Sequence, residues 1–287
     1  MQFVFEAIGT HWQIDIYEAL EPSRAAALQE SILERIAVFD AHYSRFRSDS
    51  LVTNMSHTAG VYTLPEDAKL LFDLYQDLYT RTNGLLTPLI GNLIADAGYD
   101  AVYTLVQTKE LTAPLAWDEA VHYVHPTLTI KQPVLIDVGA AGKGYLIDIV
   151  GELMEAEGVM QYCIDAGGDI RYRGSEAIRV GLENPFNTSE VVGVYALHNK
   201  SLCGSAGTRR AWGAHNHIFN PSTQESVTDI VATWVVTEST RVADALATCL
   251  FLVPASTLAD AYNFEYLLIR SDGSFEKSNN FLGEVFG

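Results

Sequence analysis

Asp244 and Thr248 stand four residues apart in VADALATCLFL, residues 242–252, an otherwise apolar run. In a helix they share one face, one turn apart. A carboxylate buried in such an element is costly unless it is paired or bound to a metal. Two readings are therefore open. In the first, Arg241 pairs with Asp244 and Thr248 bonds back to a carbonyl one turn earlier. In the second, the two oxygens form half of a cation site, and a carboxylate plus a hydroxyl suits Mg²⁺, which takes its other ligands from water and phosphates.

A second group able to do chemistry is VLIDVGAAGKGYLID, residues 134–148. An apolar strand runs into a glycine-rich turn, and the turn opens a helix whose first residues are Lys143 and Gly144. Free N–H groups at a helix start beside a lysine suit an anion such as phosphate. The spacing is too short for a P-loop, and Gly144 stands where that motif has its Ser or Thr. A tight turn with a solvated lysine is the alternative. In IDAGGDIRYRG, residues 164–174, paired glycines between apolar runs read as a hairpin, or as a place where backbone approaches a ligand. In GAHNHIFNPSTQ, residues 213–224, His215 and His217 alternate along a strand and point to opposite faces, which argues against one shared metal. A lone histidine there is either structural or a base near neutral pH.

The elements that must position these groups follow from periodicity. FVFEAI and HWQIDIY read as strands joined at Gly9 and Thr10, followed by amphipathic helices over residues 22–40 and 65–81. NGLLTPLIGNLIADAGYD mixes apolar residues with Gly and Pro and reads as a packed loop with short helical turns. YVHPTLTIK and PVLIDVG read as short strands, and residues 143–157 as a helix with Leu146, Ile149, Val150 and Leu153 on one face. Further strands fall at YCIDA, GDIRYRG, IRVGLE, VVGVYAL, KSLCGS, DIVATWVV and EYLLIR, with a short helix over residues 256–262. Strands and helices come in runs without βαβ alternation, so the expected fold class is α+β, with mixed sheets, packed helices and a single domain over residues 1–287, built as one unit or of two intertwined α+β subdomains.

Composition narrows the function. The 287 residues, 48% hydrophobic, support a sizeable core, and 18 basic against 36 acidic residues give a formal net charge of -18. Wholesale binding to nucleic acid or an anionic membrane is disfavoured, and the letters HNH lack the basic patch a nuclease would need. No run is long enough to span a membrane, and the first residues lack the pattern of a signal peptide. Cys163, Cys203 and Cys249 are few, far apart and set among apolar residues, which points to a reducing, cytoplasmic setting.

Taken in order, these motifs resemble the FAD:protein FMN transferase (ApbE) family. Its members carry Met-Gly-Thr near the start, Asp-x-Gly-Gly-x-x-Lys-Gly-Tyr, Asn-x-Gly-Gly-Asp, His-His-Ile-x-Asp-Pro and Ala-Asp-Ala-x-Ala-Thr. Here the matching stretches are IGT at 8–10, DVGAAGKGY at 137–145, DAGGD at 165–169, NHIFNP at 216–221 and ADALAT at 243–248, with YSRFRSDS at 43–50 and residues 83–100 as further matches. The resemblance implies an ApbE-like α-β roll and an enzyme that moves the FMN half of FAD, with Mg²⁺, onto a Thr or Ser hydroxyl of an acceptor protein, releasing AMP. It implies Mg²⁺ ligands at Ala140 (carbonyl), Asp244 and Thr248, flavin dinucleotide contacts at Ile8, Phe46, Leu85, Leu86, Thr87, Asp137, Lys143 and Ile218, and His217 as the base. The acceptor's flavinylation motif would be an Asp followed by a Ser/Thr-Gly/Ala-Ala-Thr run, which this chain lacks, so it is expected to modify another protein.

The chain departs from the family pattern at several positions. Ala140 replaces a Gly, Thr87 an Asp, Asn216 the first His, Asn220 the Asp before Pro, Asp165 an Asn, and Ile8 the Met; Ser56 falls where an Asn often sits. An FAD pyrophosphatase giving FMN and AMP, and an FAD-binding protein without chemistry, are the competing readings of the same site.

Overall fold

A computed structural model of the chain describes residues 1–107 and 109–286. Along the chain run β1 (Gln2–Ala7), β2 (Thr10–Ile16), α1 (Pro22–Tyr43), α2 (Leu51–His57), β3 (Gly60–Thr63), α3 (Ala68–Arg81), the 3₁₀ turn Pro88–Ile90 and α4 (Gly91–Asp96). There follow α5 (Trp117–Ala120), β4 (Val121–Val124), β5 (Thr127–Ile130), α6 (Gly142–Ala156), β6 (Tyr162–Ala166), β7 (Asp169–Arg173), β8 (Ile178–Glu183), β9 (Val191–Leu197) and β10 (Ser201–Ala206). The last part holds β11 (Ala211–Trp212), β12 (His215–Asn216), β13 (Phe219–Asn220), β14 (Glu225–Ser226), β15 (Ile230–Thr237), α7 (Thr240–Cys249), β16 (Glu265–Arg270), β17 (Phe275–Lys277) and β18 (Glu284–Val285).

Eight strands form the central sheet in the order β1-β2-β6-β7-β10-β15-β16-β17, and every pairing is antiparallel. Successive side chains alternate between its faces. Tyr162, Ile164, Cys203 and Val235 join the core beneath α1, α6 and α7, whereas Cys163, Leu202, Trp234 and Val236 join a second core beneath the small sheet β18-β9-β8. The α+β expectation is thus met, with one sheet held between a helical layer and a second sheet.

Four local expectations change, the first being that YVHPTLTIK is not one strand but the hairpin of β4 and β5. The run at residues 133–139 is not a strand: Val134 N–H bonds to Met55 and Asp137 N–H to Pro88, so its backbone groups find single partners on separate segments instead of a ladder. Residues 256–262 form a 3₁₀ turn, Ala255–Thr257, and then irregular turns, not a helix. Helix α1 continues past residue 40 because Phe39 and Tyr43, one turn apart, are both buried. No helix among the described residues is long and apolar enough to cross a membrane.

Candidate functional site

The site is organised by the crossing of α6 and α7. A Cβ on Gly144 would lie 2.3 Å from the Thr240 carbonyl oxygen and 2.6 Å from Asp244 Cβ, so the two helices touch where no side chain fits. This closeness, rather than a missing magnesium hydroxyl, is what the glycine serves. Gly144 N–H donates to Asp244 Oδ2 at 2.8 Å. An uninterrupted helix start would send that N–H back to Ala140, and among the described residues no backbone hydrogen bond reaches the Ala140 carbonyl. Ala140 has no positive φ, which is why Ala serves where the family usually has Gly.

Asp244 is buried, and its burial raises its pKa, opposed by Lys143 and by the Gly144 N–H. Arg241 does not pair with it. The Arg241 N–H donates to Asp148 Oδ2 at 3.0 Å, and its guanidinium lies 5.3 Å from the Tyr145 ring centre. Thr248 makes no side-chain hydrogen bond among the described residues, so the locally satisfied pair is not what the helix builds. Instead the start of α7 is fastened from α6: Asp148 accepts from Ser239 Oγ at 2.8 Å and from the N–H groups of Thr240 and Arg241, each at 3.0 Å. Arg171 holds the same carboxylate at 2.8 Å.

The other elements close around this crossing. Gly167 and Gly168, both at positive φ, turn the β6–β7 hairpin, and Asp165 Oδ1 accepts from Gly168 N–H at 2.8 Å. Asp169, beyond the turn, pairs with Lys143 and accepts from Gly204 N–H at 3.1 Å, so the lysine of one motif is aimed by the aspartate of another. Thr87 Oγ1 accepts from Leu89 N–H at 3.1 Å at the start of the 3₁₀ turn, and Asn220 Oδ1 accepts from Ser222 N–H at 2.9 Å in the β13–β14 hairpin. Each departure from the family pattern at residues 87, 165 and 220 therefore keeps an acceptor oxygen where a turn needs one. Asn216 is buried and fastens the next residues, accepting from Ile218 N–H and donating to the Val227 carbonyl, both at 2.8 Å.

On the opposite wall Arg45 is buried, donating to Asp137 Oδ2 at 2.5 Å and to the Tyr99 carbonyl at 2.7 Å. Its guanidinium lies 4.3 Å from the Phe46 ring centre, and Phe46 stacks on Tyr103 at 5.1 Å with 7° between planes. Ile8 and Gly9, at φ 45° and 75°, make the tight β1–β2 turn. His217 follows β12 with Nδ1 shielded and without a partner among the described residues, while His215 contacts Gln107 at 3.1 Å, so the two rings do part as their spacing implies. Burial first, and then the charge of Arg210, lower the His217 pKa to about 4, leaving a neutral imidazole at pH 7.

Every residue picked from the sequence except Ile8 lines one cavity of about 350 Å³. Ile8 lines an adjoining cavity of about 390 Å³, which shares Arg45, Phe46, Asp137 and Lys143 with the first. Sequence reasoning missed Arg45, Tyr99, Arg209 and Arg210, which also line the first cavity. The RFR run at 45–47 and the Arg-Arg pair at 209–210 were the signals available. Among the described residues no three His, Cys, Asp or Glu side chains are grouped so that they could hold a metal ion. A cation here would have to use what is present: a carboxylate, a free hydroxyl and a free carbonyl, all oxygen donors, which fit Mg²⁺.

Comparison with known proteins shows the family and the fold. The ApbE family model matches residues 8–267. An FAD:protein FMN transferase of Klebsiella pneumoniae is 21% identical over 270 residues, covering 86% of this chain and 77% of the relative. Among solved structures, the ApbE protein of Thermotoga maritima superposes with a TM-score of 0.84 at 20% identity, covering 98% of this chain and 97% of the other. The flavin transferase ApbE of Vibrio cholerae gives 0.81 at 19% identity over the same shares.

Proposed function

The chain belongs to the ApbE family, and from that premise we propose that it is an FAD:protein FMN transferase that moves FMN from FAD onto a Thr or Ser hydroxyl of an acceptor protein and releases AMP. The observation that carries this reading is convergence: the oxygen donors of Ala140, Asp244 and Thr248, the amine of Lys143 and the imidazole of His217 line one cavity. Lys143 and Arg210 neutralise charge on the phosphoryl oxygens, with Asp169 holding the lysine in place. His217, neutral at pH 7, takes the proton of the acceptor hydroxyl as its oxygen attacks the FMN phosphorus. The bond from that phosphorus to the AMP oxygen breaks, and AMP leaves with the electron pair. Asp244, Thr248 and the Ala140 carbonyl would hold Mg²⁺, which when bound supplies charge neutralisation at the pyrophosphate. The two adjoining cavities offer separate room for the two halves of FAD, with Asp137, Gly139, Lys143 and Arg210 on the walls they share. Three buried, unpaired cysteines accord with a cytoplasmic setting.

The test is incubation with FAD, Mg²⁺ and a carrier domain bearing the Asp and Ser-Gly-Ala-Thr run. Covalent flavin on the carrier, with AMP released in equal amount, supports the transferase. Free FMN at a rate indifferent to carrier would make the protein a pyrophosphatase, and tight FAD binding without turnover would make it a carrier of FAD.

A further inference from the structure

An acceptor hydroxyl must reach the phosphorus while FAD fills the cavities above, and the structure holds a second route to that point. Between the two sheets lies a crevice of about 360 Å³, with Leu202 and Trp234 of the central sheet on one side and Val180 of β8 on the other. It meets the first cavity along Gly167, Gly204, Ser205, Ala206 and Arg209, which line both.

The central sheet is split at this junction. β10 pairs with β15 from Ser201 to Ala206 but with β7 only at Ser201 and Leu202. Beyond Leu202 the N–H of Gly204 turns to the Asp169 side chain, and among the described residues no strand pairs with the β7-facing edge of residues 204–206. Gly204 carries no side chain, and the Gly167–Gly168 turn beside it is covered by Arg209, which donates to the Gly167 carbonyl at 2.9 Å, so another backbone reaches this edge by displacing a flexible side chain. An open edge accepts an extended peptide through main-chain hydrogen bonds, with specificity set by where alternate side chains fall. At the crevice Arg179 is exposed and makes no ion pair among the described residues, an unmatched cation on a chain of formal net charge -18.

Resting on the transferase reading, we propose that this crevice receives an extended segment of the acceptor protein, which adds to β10 at residues 204–206. An acidic residue of the segment meets Arg179, and its hydroxyl enters the first cavity past Arg209. FAD and acceptor thus approach the phosphorus from different sides of the Gly167–Gly204 junction.

Val180→Cys tests the placement. The native cysteines are buried, so a bulky maleimide reacts selectively at residue 180 after the protein has folded. With FAD, Mg²⁺ and the carrier domain as probe, the unlabelled variant should transfer FMN like the native chain. Labelling should slow transfer by about tenfold or more while FAD affinity stays within about twofold, as steric loss of one docking surface predicts. Unchanged transfer at complete labelling, or a parallel loss of FAD affinity, would overturn the placement. If neither native nor unlabelled protein flavinylates the carrier despite binding FAD, the transferase reading itself fails and takes the proposal with it. In Arg179→Glu, a surface change, the KM for carrier should rise several-fold at unaltered FAD affinity, and an unaltered KM would overturn the charge match.

Discussion

With His217 as the proposed base, the pH dependence of FMN transfer should read its protonation state directly. Burial and Arg210 bring its pKa from 6.5 to about 4 in the free protein. At pH 5.5 a group titrating at 4 is about 97% neutral, whereas one titrating at 6.5 is about 9% neutral. Because kcat/KM reports the free enzyme, it should fall by less than about twofold from pH 7.5 to 5.5, where an ordinary histidine base would lose about tenfold. The kcat profile should break at higher pH than kcat/KM, since bound pyrophosphate beside the ring favours imidazolium. Arg210→Gln removes one of the two lowering causes and should move the kcat/KM limb upward. The same ring also affects folding: between pH 6.5 and about 4 the unfolded chain binds the proton that the folded chain excludes. Its contribution is therefore complete above pH 6.5 and is lost as pH falls toward 4, amounting to about 3 kcal/mol at ~1.4 kcal/mol per pH unit. Initial rates with carrier and FAD each varied, from pH 4.5 to 8.5, supply the profile. A kcat/KM limb centred near 6.5 would refute the claim that the buried ring stays neutral.

Asp244→Asn keeps an oxygen for the Gly144 N–H but removes a charge whose burial is unfavourable, so the metal-free variant should melt at the same or a higher temperature while Mg²⁺-dependent turnover falls by about a hundredfold or more. A melting point several degrees lower would show that the fold needs the charge. Gly144→Ala forces a Cβ against the Thr240 carbonyl and should cost about 1–3 kcal/mol in urea unfolding, with loss of activity even where the chain stays folded. Ile8→Asn relieves a β-branched residue at φ 45° in a tight turn and should raise stability by about 1 kcal/mol in thermal melts, with weaker FAD binding if the side chain meets the ligand.

The β1–β2 and β6–β7 hairpins, the long helices and eleven of the residues that line the first cavity could be read from the sequence, because each depends on local signals. Gly-Gly between apolar runs, a proline opening α1 and the four-residue spacing of Asp244 and Thr248 are visible in windows of a few residues. What could not be read are relations between distant segments. Asp148 belongs to α6, yet its carboxylate serves the start of α7, and nothing in LIDIV signals a partner some ninety residues on. Lys143 read alone has the solvated alternative; only the fold sets it against Asp169. The run at 133–139 has strand composition, but the partners of its amides are chosen by tertiary packing, which overrides propensity.

Charge shows the same division between composition and placement. A formal charge of -18 implies a field that repels a dianionic substrate, and on that ground the metal alone would have to overcome it. The fold distributes charge differently. Arg45, Lys143, Arg209 and Arg210 line the first cavity against only Asp137 and Asp244 among the carboxylates. Three of these cations are already engaged: Arg45 by Asp137, Lys143 by Asp169 and Arg209 by Glu183. Arg210 makes no ion pair among the described residues and is the cation available to an entering phosphate without breaking an existing bond. Its charge adds to the effect of burial in holding the His217 pKa down. On the proposed reading, one side chain that the motifs did not reveal would thereby couple substrate attraction to the protonation state of the base. On the proposed transferase reading, bound pyrophosphate would neutralise Arg210 just when His217 has to hold a proton, so the base would strengthen with FAD in place and stay weak without it.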